Sequence, residues 1–256
     1  MVRQYPSYTN YSPTDLSDLR QSVLASKDPL VAVDTETTGF HWQNGDRAFG
    51  VALAWDNNCV FLRNSEYGAD KIGLLLTDIF SAKNLTYCLH NSEFDFHMMK
   101  ETYHPPQAIL DTLRVSHLYD SSMSHALKDW GAAVYGKAAS FHEGVIDEYR
   151  KAYKIRDYSH IPPEIMDSYA ANDAVLTKSL AEAFTPIVQK DYPRLLELEH
   201  RLVHVIYEME RAGLRVDEEY TQRLRHELVL EKRQIEDSIY SVIGKPLEIG
   251  SSQQLA

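Results

Sequence analysis

Leu30-Val31-Ala32-Val33-Asp34-Thr35-Glu36-Thr37-Thr38-Gly39 is the stretch that decides the fold. It opens with a short apolar run in which Val31 and Val33 are β-branched, the pattern of a buried strand. Asp34 and Glu36 stand two apart, so on a strand both carboxylates project from one face. Carboxylates that close repel each other and share a proton unless a cation neutralises them. Hard, oxygen-seeking Mg²⁺ or Mn²⁺ is the natural candidate. The pair alone says little, because D-x-E arises by chance about once in a chain of this composition. Asp217-Glu218-Glu219 is a second copy, and it reads as a helix cap.

Upstream of this strand, Ser12-Pro13-Thr14-Asp15 predicts a helix start, with Ser12 as N-cap and Pro13 at the first helical position. Leu16, Leu19, Val23 and Leu24 follow at helical spacing. Downstream, Phe49 to Trp55 and Cys59 to Arg63 read as strands around the turn-forming Asp56-Asn57-Asn58. Ile72 to Phe80 reads as helix and Leu85 to Leu89 as another strand. Strands interleaved with helices in this order predict an α/β domain built on a mixed sheet. After about residue 190 the pattern changes to long amphipathic helices. Leu195, Leu198, Leu202, Val205, Ile206 and Met209 form one stripe, which Gly213 closes as a left-handed residue. Asp217 then caps a helix carrying Leu224, Leu228, Ile235, Ile239 and Val242, whose charges (Glu231 to Arg233, for instance) form a solvated face. Ser251-Ser252-Gln253-Gln254 has capping-box spacing, with only Leu255 and Ala256 after it. The chain is therefore expected to be a piece of a longer protein.

The 256 residues carry 26 Lys and Arg against 37 Asp and Glu, a formal charge of −11. Hydrophobic residues make up 44% and charged residues 25%, proportions that exclude a disordered or fibrous chain. No apolar run approaches the roughly 20 residues needed to span a bilayer, so no membrane partner is expected. The start, Met1 to Asn10, is polar and tyrosine-rich and lacks the pattern of a secretory signal. Cys59 and Cys88 form no CxxC pair and imply a reducing, cytoplasmic setting. The acidic balance argues against coating nucleic acid by bulk charge, which leaves a local site as the route to any nucleic-acid function.

Two further elements complete a constellation. Asn91-Ser92-Glu93-Phe94-Asp95 follows the Leu85 to Leu89 strand directly, at a strand-to-helix edge of the kind that lines sites in α/β sheets. Asn-x-x-Phe-Asp is much rarer than D-x-E, expected in roughly a few of every hundred such chains. Tyr169-Ala170-Ala171-Asn172-Asp173 lies in a helix introduced by Pro162 and Pro163. Its i to i+4 spacing places phenol and carboxylate on one face. Tyr11 to Asp15 and Tyr153 to Asp157 are chance copies of that spacing, so the order of the three elements carries the weight.

These elements resemble the three motifs of the DEDD 3′–5′ exonucleases, in the variant whose third motif carries a tyrosine. Val31 to Gly39 looks like the family's first motif, and the match runs over roughly residues 28 to 185. Within that superfamily, Met209-Glu210-Arg211-Ala212-Gly213-Leu214-Arg215-Val216-Asp217 resembles the hinge between the first helices of the polymerase region in family A DNA polymerases. Ile249 to Leu255 resembles the segment leading into the thumb. The resemblance implies a ribonuclease H-like fold, with a mixed five-stranded sheet flanked by helices and an α-helical C-terminal segment. The implied organisation is an N-terminal extension and helix (1–27), the exonuclease domain (28–190) and the truncated start of a polymerase domain (191–256).

The same resemblance implies two Mg²⁺ (or Mn²⁺) ions held by Asp34, Glu36, Asp95 and Asp173. With two divalent ions the four carboxylates sum to zero, so a phosphate can approach. Tyr169 would orient the attacking water, because a phenol of ordinary pKa near 10 is a poor base at neutral pH. Thr37 and Asn91 would contact the substrate strand, and Phe40 stands where the family places an apolar wedge against the terminal base. For Phe40 the competing reading is a core or loop aromatic. Phe141 is a second stacking candidate, with burial in the core as its competing reading. Asp111 reads as a helix cap, and the 11 histidines contain no zinc-binding pattern.

The implied activity is proofreading removal of nucleoside 5′-monophosphates from single-stranded or frayed DNA 3′ ends, beside the remainder of a polymerase. Two alternatives use the same motifs: a free-standing exoribonuclease of the RNase D type, and a silent exonuclease-like domain. Presence of all four acidic residues and the tyrosine weighs against the silent domain, and the polymerase-like tail against the exoribonuclease. Polymerase activity is not expected, since no palm carboxylates follow Ala256. With fewer than 30 residues ahead of the exonuclease region, no 5′-nuclease domain is expected in front of it. That economy resembles phage-type polymerases, which would act in host cytoplasm.

Overall fold

A computed structural model describes residues 3–99, 103, 105–106 and 109–255. Met1 and Val2 of the expected N-terminal extension, and the terminal Ala256, lie outside the described residues. The chain divides into two compact units, Met1–Glu210 and Arg211–Ala256.

The first unit is built on strands β1 (Thr9–Asn10), β2 (Leu30–Thr37), β3 (Ala48–Trp55), β4 (Asn58–Arg63), β5 (Thr86–Leu89) and β6 (Ile109–Asp111). Around them lie α1 (Leu16–Leu24), α2 (Asn64–Tyr67), α3 (Ala69–Phe80), α4 (Ser92–Met99), α5 (Thr112–Tyr119) and α6 (Leu127–Tyr135). α7 (Phe141–Tyr153), α8 (Pro163–Asp191) and α9 (Pro193–Ala212) follow. The second unit contains α10 (Glu218–Ile243) and α11 (Ser252–Leu255).

The sheet is mixed, with strand order β1-β4-β3-β2-β5-β6. β2 pairs antiparallel with β3, and β3 with β4. The pairs β2–β5, β5–β6 and β1–β4 are parallel. The fold is the expected α/β, ribonuclease H-like arrangement, with six strands instead of five. The strands missing from the sequence reading, β1 and β6, have two and three residues, too few to show an alternating pattern. The helix expected from Ser12 starts later: Asp15 is its N-cap, accepting from the backbone N–H of Asp18. An aspartate three residues before the free donor outcompeted the Ser-Pro signal.

The sheet's two faces differ in kind. One buries Val31, Val33, Val51, Leu53, Trp55 and Leu62 against α1, α3, α4 and the inner side of α9. Fully burying a side chain of this class contributes roughly 1.5–3 kcal/mol, so this face holds most of the apolar stabilisation. The opposite face is made of small residues, Ala32, Ala52, Ala54, Cys59 and Cys88, with Phe61. Against it lies α8, which brings mostly alanines, Ala170, Ala171, Ala174 and Ala181, with Met166 and Val175. Small residues on both sides let the helix approach the sheet closely. At Gly50, opposite Glu36 in the β2–β3 register, a Cβ would stand 2.4 Å from the Phe61 ring.

The α9 stripe read from the sequence is offset. Leu195, Leu198, Leu202, Val205 and Met209 are exposed, whereas Leu196, Val203 and Tyr207 are buried. A neighbouring apolar row on the same helix packs into the core. Gly213 takes the expected left-handed conformation, and Asp217 caps α10 by accepting from Tyr220 N–H at 2.9 Å. α10 has no buried residue, and its Leu228 and Ile235 are exposed. At the end Gln254 reaches back, but its amide oxygen accepts from Glu248 N–H rather than from Ser251.

Candidate active site

β2 carries the site because its alternation separates two jobs. Asp34 and Glu36 point to the small-residue side, and Thr35 points the other way. From α8, Asp173 joins them: carboxylate oxygens of Asp34, Glu36 and Asp173 all lie within 4.8 Å of one another. Glu36 and Asp173 are buried and Asp34 is half-buried. Tyr169 lies one turn before Asp173 on the same face of α8.

Asp95 lies on the Thr35 side of β2, outside the group of three carboxylates. It sits in the first turn of α4, immediately after β5, and is buried. Its Oδ1 accepts from the Thr35 hydroxyl at 2.5 Å. Thr35 thus fixes the third acidic residue with the side chain that separates the first two. The sequence reading missed Thr35, although the period of the strand contained the signal. The Asp95 charge acts on Glu36, and the Asp34 charge acts on Asp95.

Electrostatics follow from this crowding. Burial pushes the Asp34 carboxyl up to about 7, against the pull of the Lys128 ammonium. Glu36 is raised well above the usual carboxylate range by burial and then by the Asp34 charge. Asp95 is raised for the same two reasons, with the Thr35 hydrogen bond opposing. The Tyr169 phenol is pushed further up by burial and by the Glu36 charge, which fits a neutral hydrogen-bonding hydroxyl better than a base. A compact set of buried, all-oxygen donors suits a hard divalent cation.

The other expected residues are Thr37, Phe40, Asn91 and Phe141. Thr37 donates its hydroxyl to Gly39 O at 2.8 Å, bracing the turn that carries Phe40. The Asp46 carboxylate closes the same turn by accepting from His41 N–H at 2.8 Å. Phe40 is 74% exposed, with its ring 6.2 Å from that of Phe94. The core reading is thereby excluded for Phe40. It is excluded for Phe141 as well, which is 64% exposed at the start of α7. Asn91 is exposed and left-handed, with φ of 68°, a conformation that asparagine tolerates. Asp111 is the N-cap of α5 and also accepts from the Ser92 hydroxyl at 2.6 Å, so it supports the turn beneath Asp95.

Lys128, on α6, is the site residue that no sequence signal revealed. Its ammonium pairs with Asp173 and lies 4.5 Å from the Tyr169 ring centroid.

A family model described as 3′–5′ exonuclease matches residues 10–189. The DNA polymerase DpoZ of Salmonella phage PMBT28 is 29% identical over 208 residues, 75% of this chain and 32% of that protein. The chain spans about a third of the length of the curated relatives it matches first. Among solved structures, the POL domain of Pol1 from M. smegmatis, in complex with DNA primer-template and dNTP, gives a TM-score of 0.62 at 17% identity. It is matched over 96% of this chain and 40% of its own. NrnC of Brucella melitensis, bound to pGG, gives 0.54 at 16% identity, over 82% of this chain and 95% of its own. At such identities these two likenesses establish the fold.

Proposed function

The chain belongs to the 3′–5′ exonuclease family of A-type DNA polymerases, and from that membership we propose that it shortens DNA from the 3′ end by metal-dependent hydrolysis. The observation that carries this reading is the group of Asp34, Glu36 and Asp173 oxygens within 4.8 Å of one another, with Tyr169 one helical turn away. Asp34, Glu36 and Asp173 would hold one Mg²⁺ or Mn²⁺, and Asp34 with Asp95 a second. Bound there, the ions supply a water that ionises near neutral pH and a clamp on the leaving 3′ oxygen.

The chain's own groups supply the rest. The neutral Tyr169 hydroxyl orients the attacking water, a positioning role. Glu36 accepts from the terminal 3′-OH, which favours a free end over an internal phosphate. Phe40 presents an exposed face for stacking on the terminal base, and Phe94 lies beside it. Stacking tolerates any base, as removal of arbitrary misinsertions requires. Thr37, Asn91 and Phe141 border the path of the strand. The product is a nucleoside 5′-monophosphate, the role is proofreading in DNA replication, and the partner is the remainder of a polymerase. No helix among the described residues is long and apolar enough to cross a membrane. Cys59 and Cys88 are both free and buried, which fits a cytoplasmic location.

Asp34→Ala should lower Mg²⁺-dependent shortening of a 5′-labelled single-stranded DNA about 10³-fold or more. Equal digestion by mutant and parent would sink the reading. Running the parent on a matched RNA oligonucleotide reads the substrate class: faster loss of RNA would replace DNA with RNA.

A further inference from the structure

We propose that Lys128 is a positioning residue of the exonuclease reaction, a cation of the chain's own beside the carboxylate cluster, clamping Asp173 and Tyr169 and tempering the cluster's pull on divalent ions. This rests on the exonuclease reading.

Three observations carry it. First, a single ammonium touches both functional side chains of α8. It pairs with the Asp173 carboxylate and sits 4.5 Å from the Tyr169 ring centroid, within cation–π range. Asp173 and Tyr169 are one turn apart, so one group reaching across from α6 fixes their relative orientation. Second, the pair is sheltered: the side chains of Lys128 and Asp173 are 15% and 8% exposed. An ion pair screened so little by water acts strongly on its neighbours. Burial lowers the pKa of the Lys128 ammonium, and the charges of Asp34, Glu143 and Glu36 oppose that shift.

Third, the position is poor for a lysine on local grounds. Lys128 occupies the second residue of α6, where the helix macrodipole disfavours a cation. Nor is it needed to hold α6 on α8. Trp130 and Tyr135 of α6 already pack with Leu176, Leu180 and Phe184 of α8 in a buried cluster. A tether there adds little, whereas a charge at the carboxylates changes the site.

The charge arithmetic sharpens the role. Four carboxylates and two divalent ions sum to (−4) + (+4) = 0; Lys128 adds +1, while Glu143 and Arg63, which also act on the cluster, cancel each other, so the site stands at +1, the complement of one phosphodiester charge. Removing the ammonium has two opposite effects. The cluster becomes more negative and draws a free divalent ion more tightly. The hydrolytic step loses both the clamp on Asp173 and Tyr169 and the residual positive charge.

Parent, Lys128→Met, Lys128→Arg and Asp34→Ala are titrated with MnCl₂ by calorimetry in the absence of DNA. Each is then assayed at saturating Mg²⁺ on a 5′-labelled single-stranded DNA. For Lys128→Met the expected result is Mn²⁺ binding about tenfold tighter with kcat about tenfold or more lower. Lys128→Arg should restore both to within about threefold of the parent. A merely structural lysine would weaken metal binding and activity together, along with the melting temperature, and that pattern overturns the proposal. Unchanged Mn²⁺ affinity and kcat overturn it as well. If Lys128→Met does not fold, Lys128→Gln is read by the same criteria. The exonuclease reading fails separately, when the parent neither cuts DNA nor binds Mn²⁺ better than Asp34→Ala, and this proposal falls with it.

Discussion

Ala52 and Leu53 are neighbours in β3, yet they belong to different halves of the molecule. Ala52 is paired with Asp34 and faces α8, on the side where alanines of the sheet meet alanines of the helix. Leu53 faces α1, α3 and α4, on the side packed with large aliphatic side chains. One face of the sheet supplies cohesion. The other keeps α8 close enough for Asp173 and Tyr169 to meet Asp34 and Glu36. Stability and chemistry are thus separated by a single residue step along one strand.

The largest effect that could break this comparison is on the cohesive face. Leu53→Ala should lower stability by about 3 kcal/mol, or about 9 °C in melting temperature for a unit of this size. Activity per folded molecule should stay within about twofold. A disproportionate loss of activity at a temperature where the variant is fully folded would show that the faces are not independent. Next in size is Ala52→Val. Its added methyl groups meet the α8 interface, and a small outward shift of α8 should slow hydrolysis roughly tenfold, with a melting temperature lower by about 3–6 °C. Full activity in that variant would mean that close approach of α8 does not matter.

The smallest effect is a pH dependence. Burial raises Asp34 to about 7 and lifts Glu36 and Asp95 with it. A carboxyl with a folded pKa above its unfolded value near 4 binds its proton more tightly in the folded state. Its contribution to stability is fully present at low pH and is lost as pH rises through the folded pKa. In EDTA the melting temperature should therefore fall by about 3 °C, on the order of 1 kcal/mol, between about pH 5 and pH 8. Excess Mg²⁺ should flatten or reverse the fall, because a bound cation compensates the ionised carboxylates. The same slope with and without Mg²⁺ would separate the raised carboxyls from any cation site.

The sequence was most legible where a period and a charge coincide. Asp34 and Glu36 share a face because strands alternate, and Tyr169 and Asp173 share one because helices turn every 3.6 residues. Both inferences need only local geometry. Lys128 needed the packing of α6 on α8, which no local pattern encodes. The α9 stripe failed for a related reason. Two apolar rows lie side by side on that helix, and only tertiary contact selects the row of Leu196, Val203 and Tyr207. β1 and β6 were too short to register, and the exposure of Phe141 depends on where α7 begins.

Asn172, next to the last acidic residue of the cluster, accepts from the Tyr5 hydroxyl at 2.9 Å and donates to Ala139 O at 3.2 Å. The opening segment of the chain is thereby riveted to the helix that carries Asp173 and to the turn that leads into Phe141. For anyone handling the protein, its two ends are unequal. A tag or trim near residue 5 pulls on the reaction centre, whereas the far side of Gly213 belongs to a separate compact unit and is the safer place for a handle.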